Sequence, residues 1–163
     1  MSELKLDRTD RRIVDALQHD GRLPNNELAA KVSLSPSPCL RRVRSLEEAG
    51  VIKRYVALVD PLKVGLEMLA YVSVKLEKKG QMPAEEFNSA VNTWTEVIEC
   101  YAMTGDMDYL LRVQVEDLDH FSRFIMGKLL KQPAVVDVKS SFALERVKET
   151  TVLPLPLSTR GNS

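Results

Sequence analysis

Through the first fifty residues the apolar positions recur at helical intervals, and from Leu66 onward they mostly alternate. Ile13, Val14 and Leu17 share one side of a first helix that Asp7 can cap, with Gly21 and Pro24 punctuating its end. Asn25 or Asn26 can cap a second, short helix carrying Leu28, Ala29 and Val32, and Ala29 and Ala30 would let a neighbouring helix approach closely.

The next stretch, SLSPSPCLRRVRSLEEAG, predicts a third helix. Ser35 suits the N-cap, and Pro36 then falls at N1, where a missing N–H costs nothing and a fixed φ helps. Pro38 falls at N3, still among the orphan donors of the first turn. Cys39, Val43 and Leu46 project to one side, with Leu40 on the flank. Ser37, Arg41, Arg44, Ser45 and Glu48 cluster on the other, Arg42 lies nearer the apolar seam, and Gly50 suits C′. Three short helices with tight turns, the last basic on its outer face, make a helix-turn-helix pattern.

Such a face has a physical use. Arg41 and Arg44 could grip phosphates or reach guanine O6 and N7, and Ser37 is short enough to sit against a base edge or a phosphate. Free N–H groups and the dipole of the helix start favour a phosphate as well. The competing reading is plain: arginines on an exposed helix face are ordinarily just solvated. VIKRYVALVDP follows Gly50 and predicts a strand from Ile52 to Val59, ended by Pro61, with Lys53 and Arg54 placed to reach backbone phosphates. Asp60 to Gly65 reads as a hinge.

In the body, Leu66, Met68, Ala70, Val72, Val74 and Leu76 form one apolar strand face. Pro83 opens a helix with Phe87, Ala90 or Val91, and Trp94 on one side; TEVIECYAM and DYLLRVQV are strands. Asp117 or Asp119 caps a helix whose buried side is expected to hold Leu118, Phe121, Phe124 or Ile125, and Leu129, and VVDVKSSFALERV is the last strand. The order β-α-β-β-α-β is that of a ferredoxin-like sandwich, with helices on one face of an antiparallel sheet. The opposite face is expected to be partly apolar, with Leu69, Tyr71, Ala102 and Phe142 as candidates, and a two-fold dimer is its simplest closure. The tail TTVLPLPL has strand character with edge-like prolines.

The fold class is therefore α+β: a winged-type helix-turn-helix (1–52), a strand and hinge (53–65), a ferredoxin-like domain (66–149) and a tail (150–163). Length agrees, since 163 residues allow one ordinary domain or two small ones. Net charge is zero, yet residues 1–54 hold 11 Lys/Arg against 8 Asp/Glu and the remainder 12 against 15, a mildly basic head that favours an anionic partner. Cys39 and Cys100 make no disulfide framework, and no leader or membrane-length apolar run is evident, so a cytoplasmic setting is expected.

The loop TGDMDY is the body's one cluster of candidate chemistry. As a hairpin it needs no function. As a clamp, Asp106 and Asp108 could take an ammonium group while turn N–H groups take a carboxylate, and a free amino acid presents both. An enzyme would have to draw on Asp106, Asp108, His19 and His120, but no spacing joins the histidines and no nucleophile elbow, phosphate loop or metal-ligand motif is present. No catalytic residue, metal ligand or cofactor is assigned. A second rival is an amino-acid sensor or assembly protein that keeps a helical head without binding DNA.

LDRTDRRIVDALQHDGR and NNELAAKVSLSPSPCLRRVRSLEEAGVI resemble the DNA-binding half of the leucine-responsive and asparagine-responsive regulators, the feast/famine (Lrp/AsnC) family, its leucine-responsive branch most. TGDMDYLLRVQV resembles that family's effector-domain signature, and VVDVKSSFALERVK its last strand. The resemblance implies a transcription regulator that binds double-stranded DNA and controls amino-acid metabolism or transport genes. It implies homodimers assembling further, to an octamer among other sizes, with leucine or another small amino acid bound between dimers as effector. It places Ser35, Ser37, Pro38, Arg41, Arg42 and Arg44 at DNA, and Ala102, Gly105, Asp106, Met107, Asp108, Leu118, Ser141, Phe142 and Ala143 around the effector. One departure stands out. The leucine-responsive pattern has an aromatic followed by valines where this chain has Ser141, Phe142 and Ala143, and a larger aliphatic at Ala102.

Overall fold

A computed structural model describes residues 5–77 and 82–155, which divide into two compact units. The first comprises the head up to Leu58 together with the tail from Lys148, and the second spans Val59–Val147. The end of the TTVLPLPL segment, Pro156 and Leu157, lies outside the described residues.

The first unit holds α1 (Arg8–His19), α2 (Asn25–Lys31) and α3 (Pro36–Glu48). Asp7 caps α1 as expected, and the cap is reciprocal: the Asp10 N–H donates to Asp7 Oδ1 at 2.8 Å while the Asp7 N–H donates to Asp10 Oδ2 at 3.1 Å. At α2 the cap is Pro24, and Asn25 is the first helical residue. Ser35 caps α3 through its backbone and Pro36 opens it. Ile13, Leu28, Ala29, Val32, Cys39 and Leu46 make the head's buried core, so each helix contributes the apolar side its spacing marked. Ser33, at φ 61°, makes the tight turn between α2 and α3, and Gly50, at φ 70°, ends α3.

The second unit contains β1 (Met68–Leu76), α4 (Met82–Val91), β2 (Val97–Ala102), β3 (Tyr109–Val115), α5 (Leu118–Gly127) and β4 (Val135–Phe142). The antiparallel sheet runs β2-β3-β1-β4. Ala70, Val72, Val74 and Leu76 face a core shared with Phe87, Val91 and Trp94 from the α4 side and Phe121 and Phe124 of α5. Phe87 packs on Tyr109 at 4.8 Å between ring centres with the planes tilted by 48°, and Trp94 meets Phe124 edge-on at 5.5 Å. Both helices therefore cover the same sheet face.

Besides the α2 cap, which is Pro24 and not the expected Asn25 or Asn26, four expectations need correction. The strand expected from Ile52 to Val59 does not form: the segment joins no sheet, and Val56 and Leu58 stand 62% and 73% exposed. Its residue types favour a strand, but a strand needs a neighbour to complete its hydrogen bonds. Leu118 is exposed, because it sits directly after the Asp117 cap and its helix buries Phe121 and Phe124 instead. Phe142 is paired across from Ala70 and Ala102 across from Tyr109, which puts both on the helix-covered face. Leu69 and Tyr71, pairing with Gln114 and Arg112, do line the open face.

Candidate DNA and effector sites

The three helices of the head are held by specific polar links as well as by their core. Asn25 Nδ2 donates to the Pro36 carbonyl at 2.9 Å, fastening the start of α2 to the start of α3. Arg12 Nη2 donates to the Lys31 carbonyl at 2.7 Å and so satisfies the end of α2. Arg42 Nη1 reaches Asp7 Oδ2 and Asp10 Oδ1, each at 2.7 Å. The Asp10 N–H, followed by the Arg42 guanidinium, holds the Asp7 carboxyl below its ordinary value despite some cost from burial.

This sorts the basic residues of α3. Arg42 is turned back against the α1 cap. Arg41 and Arg44 are exposed, and among the described residues neither enters an ion pair. Ser35 and Ser37 are exposed beside them, Pro38 is half-buried, and Lys53 and Arg54 are exposed beyond the helix. The flank that the spacing assigned to Ser37, Arg41 and Arg44 is thus open for contact.

The prolines change how that flank can hold an anion. Of the first three residues of α3, Pro36 and Pro38 have no N–H, and the Cys39 N–H is already bonded to the Ser35 carbonyl at 3.2 Å. Ser37 alone supplies an orphan donor there, together with its hydroxyl. Arginine side chains, more than bare helix N–H groups, must therefore carry any grip on phosphate.

In the second unit the candidate effector residues fall into two groups. Ala102, Gly105, Asp106, Met107 and Asp108 lie at the β2–β3 hairpin, with Gly105 at φ 113° making the turn. Asp108 is built into the sheet: its N–H donates to the Val74 carbonyl at 2.9 Å and its Oδ2 accepts from the Leu76 N–H at 2.8 Å. Its carbonyl accepts from the Met103 N–H, also at 2.8 Å. One carboxylate oxygen is thus spent on the end of β1, and Asp106 is the exposed acid of the turn.

Ser141, Phe142 and Ala143 lie at the other end of the sheet. Phe142 pairs with Ala70, the Ala143 N–H donates to the Leu69 carbonyl at 2.9 Å, and Phe121 of α5 packs on Phe142 at 5.0 Å. Leu118, at the start of α5, belongs to this end. From Ala70 to Leu76 a strand advances about 20 Å, so one chain does not bring the two groups together.

On the open sheet face, Arg112 Nη1 meets Glu99 Oε1 at 3.1 Å, and Tyr101 Oη donates to Glu99 Oε2 at 3.2 Å. Tyr71 flanks the ion pair, and Leu110 lies across from Tyr101. On the other side of the molecule's second unit, Glu96 is buried and accepts both Lys128 Nζ bonds, at 2.8 and 2.9 Å, with His120 Nε2 at 3.6 Å. Sequence spacing gave no hint of the Glu96–Lys128 pair or of the Asn25 fastening, since each is made between two separate elements and not within one periodic pattern. Among the described residues no group of three or more His, Cys, Asp or Glu side chains could hold a metal, and no helix is long and apolar enough to cross a membrane.

Known proteins share this plan. Residues 6–53 match a winged helix-turn-helix DNA-binding family, and residues 69–153 match the Lrp/AsnC ligand binding domain. The chain is 41% identical over 148 residues to the leucine-responsive regulatory protein of Klebsiella pneumoniae, covering 91% of this chain and 90% of that one. A transcriptional regulator from Neisseria meningitidis, solved as its L-Met complex, is 45% identical, with a TM-score of 0.88 over 92% of this chain and 97% of the other. An AsnC family transcriptional regulator from Agrobacterium tumefaciens is 43% identical, with a TM-score of 0.86 over 91% and 97%. The helical head and the sheet-bearing unit are accordingly the DNA-binding and amino-acid-responsive halves of one regulator, and the chain belongs to the Lrp/AsnC family of transcription regulators.

Proposed function

We propose that the chain reads duplex DNA through Ser37, Arg41 and Arg44 of α3, with Ser35, Lys53 and Arg54 on flanking phosphates, and that a small amino acid adjusts this binding. The observation that carries the reading is the exposed flank of α3, whose Arg41 and Arg44 enter no ion pair among the described residues while Arg42 is consumed by the α1 cap. Two such heads in a dimer would match a two-fold symmetric site. Dimer closure is supported by the open sheet face, where Leu69, Tyr71, Leu110 and Tyr101 surround the Glu99–Arg112 pair.

The effector site is assembled from two copies. The hairpin group, with Asp106 and the Gly105 turn, comes from one chain, and the group at Leu118 and Ser141–Ala143 from another. The separation of these groups along one sheet supports this arrangement, and the L-Met complex of the Neisseria regulator supports an amino acid as the ligand. L-Met and leucine are the first candidates. Further assembly, up to an octamer, would change how many heads engage one DNA segment, and the ligand shifts that balance only by its differential affinity for the assemblies. The regulated genes are those of amino-acid metabolism or transport, and the setting is the cytoplasm.

Gel-shift binding to the DNA upstream of the protein's own gene, and to a duplex selected by the protein from a random pool, tests the reading across the twenty amino acids. Salt-sensitive, sequence-selective binding that one or a few amino acids change is expected. No selection of any duplex, or a selected duplex whose binding no amino acid alters, overturns it.

A further inference from the structure

The tail leaves the sheet after Ala143 and returns to the head, where one main-chain unit is gripped. The Leu153 N–H donates to Gln18 Oε1 at 2.7 Å, and Gln18 Nε2 donates to the Leu153 carbonyl at 3.3 Å. The Gln18 amide thus offers the tail one donor and one acceptor, as a neighbouring strand would. The Leu153 side chain is 67% exposed, whereas Val152 and Leu155 are half-buried, so the grip is on the backbone. The Val152 N–H is bonded to Thr150 Oγ1 at 3.1 Å and Pro154 has no N–H, which leaves Leu153 as the donor this part of the tail presents.

Gln18 belongs to α1, and α1 holds α3 in turn through Asp7, Asp10 and Arg42. The chain passes between the two units twice, after Leu58 and after Val147. The first passage lies beyond α3. The second runs from the sheet end at Phe142 to α1, the helix against which α3 is braced.

We propose that the tail is a return strap, clipped to α1 at Gln18, through which amino-acid binding at the Ser141–Ala143 end of the sheet reaches the DNA-reading helix. This rests on the amino-acid-responsive reading above and names its route. Gln18 and Leu153 are positioning residues that touch neither DNA nor ligand. Removing the clip uncouples the two sites while each still binds its own partner, because coupling is a free energy distinct from either affinity.

The test uses the full-length protein, the selected duplex, L-Met and L-Leu as probes, and two variants that open the clip from opposite sides. Gln18→Leu removes both partners of the tail, and Leu153→Pro removes the tail's donor while leaving residues 1–152 unchanged. Hydrogen exchange over residues 148–155 is expected to show protection in the wild type that Gln18→Leu abolishes. Duplex affinity without amino acid and calorimetric affinity for L-Met or L-Leu without DNA should stay within about twofold of wild type, while the amino-acid-induced change in duplex affinity falls at least threefold. Should Gln18→Leu disturb the head itself, Leu153→Pro decides. An undiminished amino-acid effect in Leu153→Pro overturns the strap, as does a wild-type tail that exchanges like an unstructured peptide. A wild type that answers neither L-Met nor L-Leu removes the signal the strap would carry and overturns it too. That last failure lies in the wild type, before any variant is made, and so is told apart from failure of the strap alone.

Discussion

Arg42 on α3 and Asp10 in the first turn of α1 meet at 2.7 Å, and the same guanidinium nitrogen reaches Asp7 at the same distance. Asp10 is nearly buried, so removing the arginine leaves a carboxylate facing little water. The Arg42 side chain is 37% exposed, which screens part of the gain. Arg42→Ala should lower the stability of the head by about 1–2 kcal/mol, read as a shift in the urea midpoint of the helical signal. Its duplex binding should keep the wild-type salt slope once folded protein is counted.

Arg41 and Arg44 should behave in the opposite way. Alanine at either position should leave the urea midpoint within about 0.5 kcal/mol of wild type, as surface changes usually do. Where the lost contact is a phosphate, the slope of log affinity against log salt falls by about 1; where it is a guanine edge, discrimination falls by about 1–3 kcal/mol at one base pair. A salt titration on matched and mismatched duplexes separates the two, and an unchanged slope with unchanged selectivity for both variants would remove α3 from the DNA interface.

Asp108 has a structural duty that complicates its place in an effector site. Asp108→Ala deprives the Leu76 N–H of its acceptor and should cost the sheet about 1–3 kcal/mol. Asp108→Asn keeps an oxygen for that N–H and should melt close to wild type. If the charge also serves the amino acid, Asp108→Asn blunts the response by about tenfold while the melt holds. A full response in Asp108→Asn, with loss only in Asp108→Ala, assigns the residue to the hairpin alone.

Two pH effects follow from groups on different units. Burial works to raise the Glu96 carboxyl, but the Lys128 bonds and its other hydrogen bonds outweigh it, so the pKa is lowered from 4.5. A depressed carboxylate stabilises the fold above its unfolded value and loses that contribution as the pH falls through its folded value. Acid unfolding of the sheet-bearing unit should therefore steepen below pH 4.5 in wild type and flatten in Glu96→Gln. The same exchange leaves Lys128 and His120 without the anion they face, so Glu96→Gln should also be less stable at neutral pH.

Tyr55 gives the head an alkaline limit. Its hydroxyl donates to Glu47 Oε1 at 2.9 Å, and burial, with the Glu47 carboxylate behind it, pushes the phenol up to about 12. A raised phenol stabilises the fold fully below 10.0 and loses that contribution as pH rises toward 12. Thermal melts between pH 9 and 12 should show a drop that Tyr55→Phe reduces.

The fold was legible where one local pattern was enough. The even-numbered apolar residues of β1 announced a sheet face with helices over it, and Ser35-Pro36 announced where α3 begins. Legibility failed where the deciding partner lies far along the chain. Nothing near Arg42 says that Asp7 and Asp10 will claim it, and nothing near Gln18 says that Leu153 will return to it. Strand phase failed for a related reason. Phe142 and Ala102 are placed by register with Ala70 and Tyr109, and register is a property of pairs of strands, so a single strand read alone leaves its facing open. The linker at 53–60 shows the same limit, since its β-favouring residues name a conformation without naming the neighbour it requires.

The two groups of candidate effector residues occupy opposite ends of one sheet, about 20 Å apart. On the two-copy site proposed above, the receptor would be incomplete in any solitary molecule and would come into being only on encounter with another. Its sensitivity then depends on how much of the protein the cell holds as well as on the nutrient outside the pocket, by simple mass action. A scarce population would be deaf to an amino acid that an abundant one hears, which would make the regulator a gauge of its own abundance.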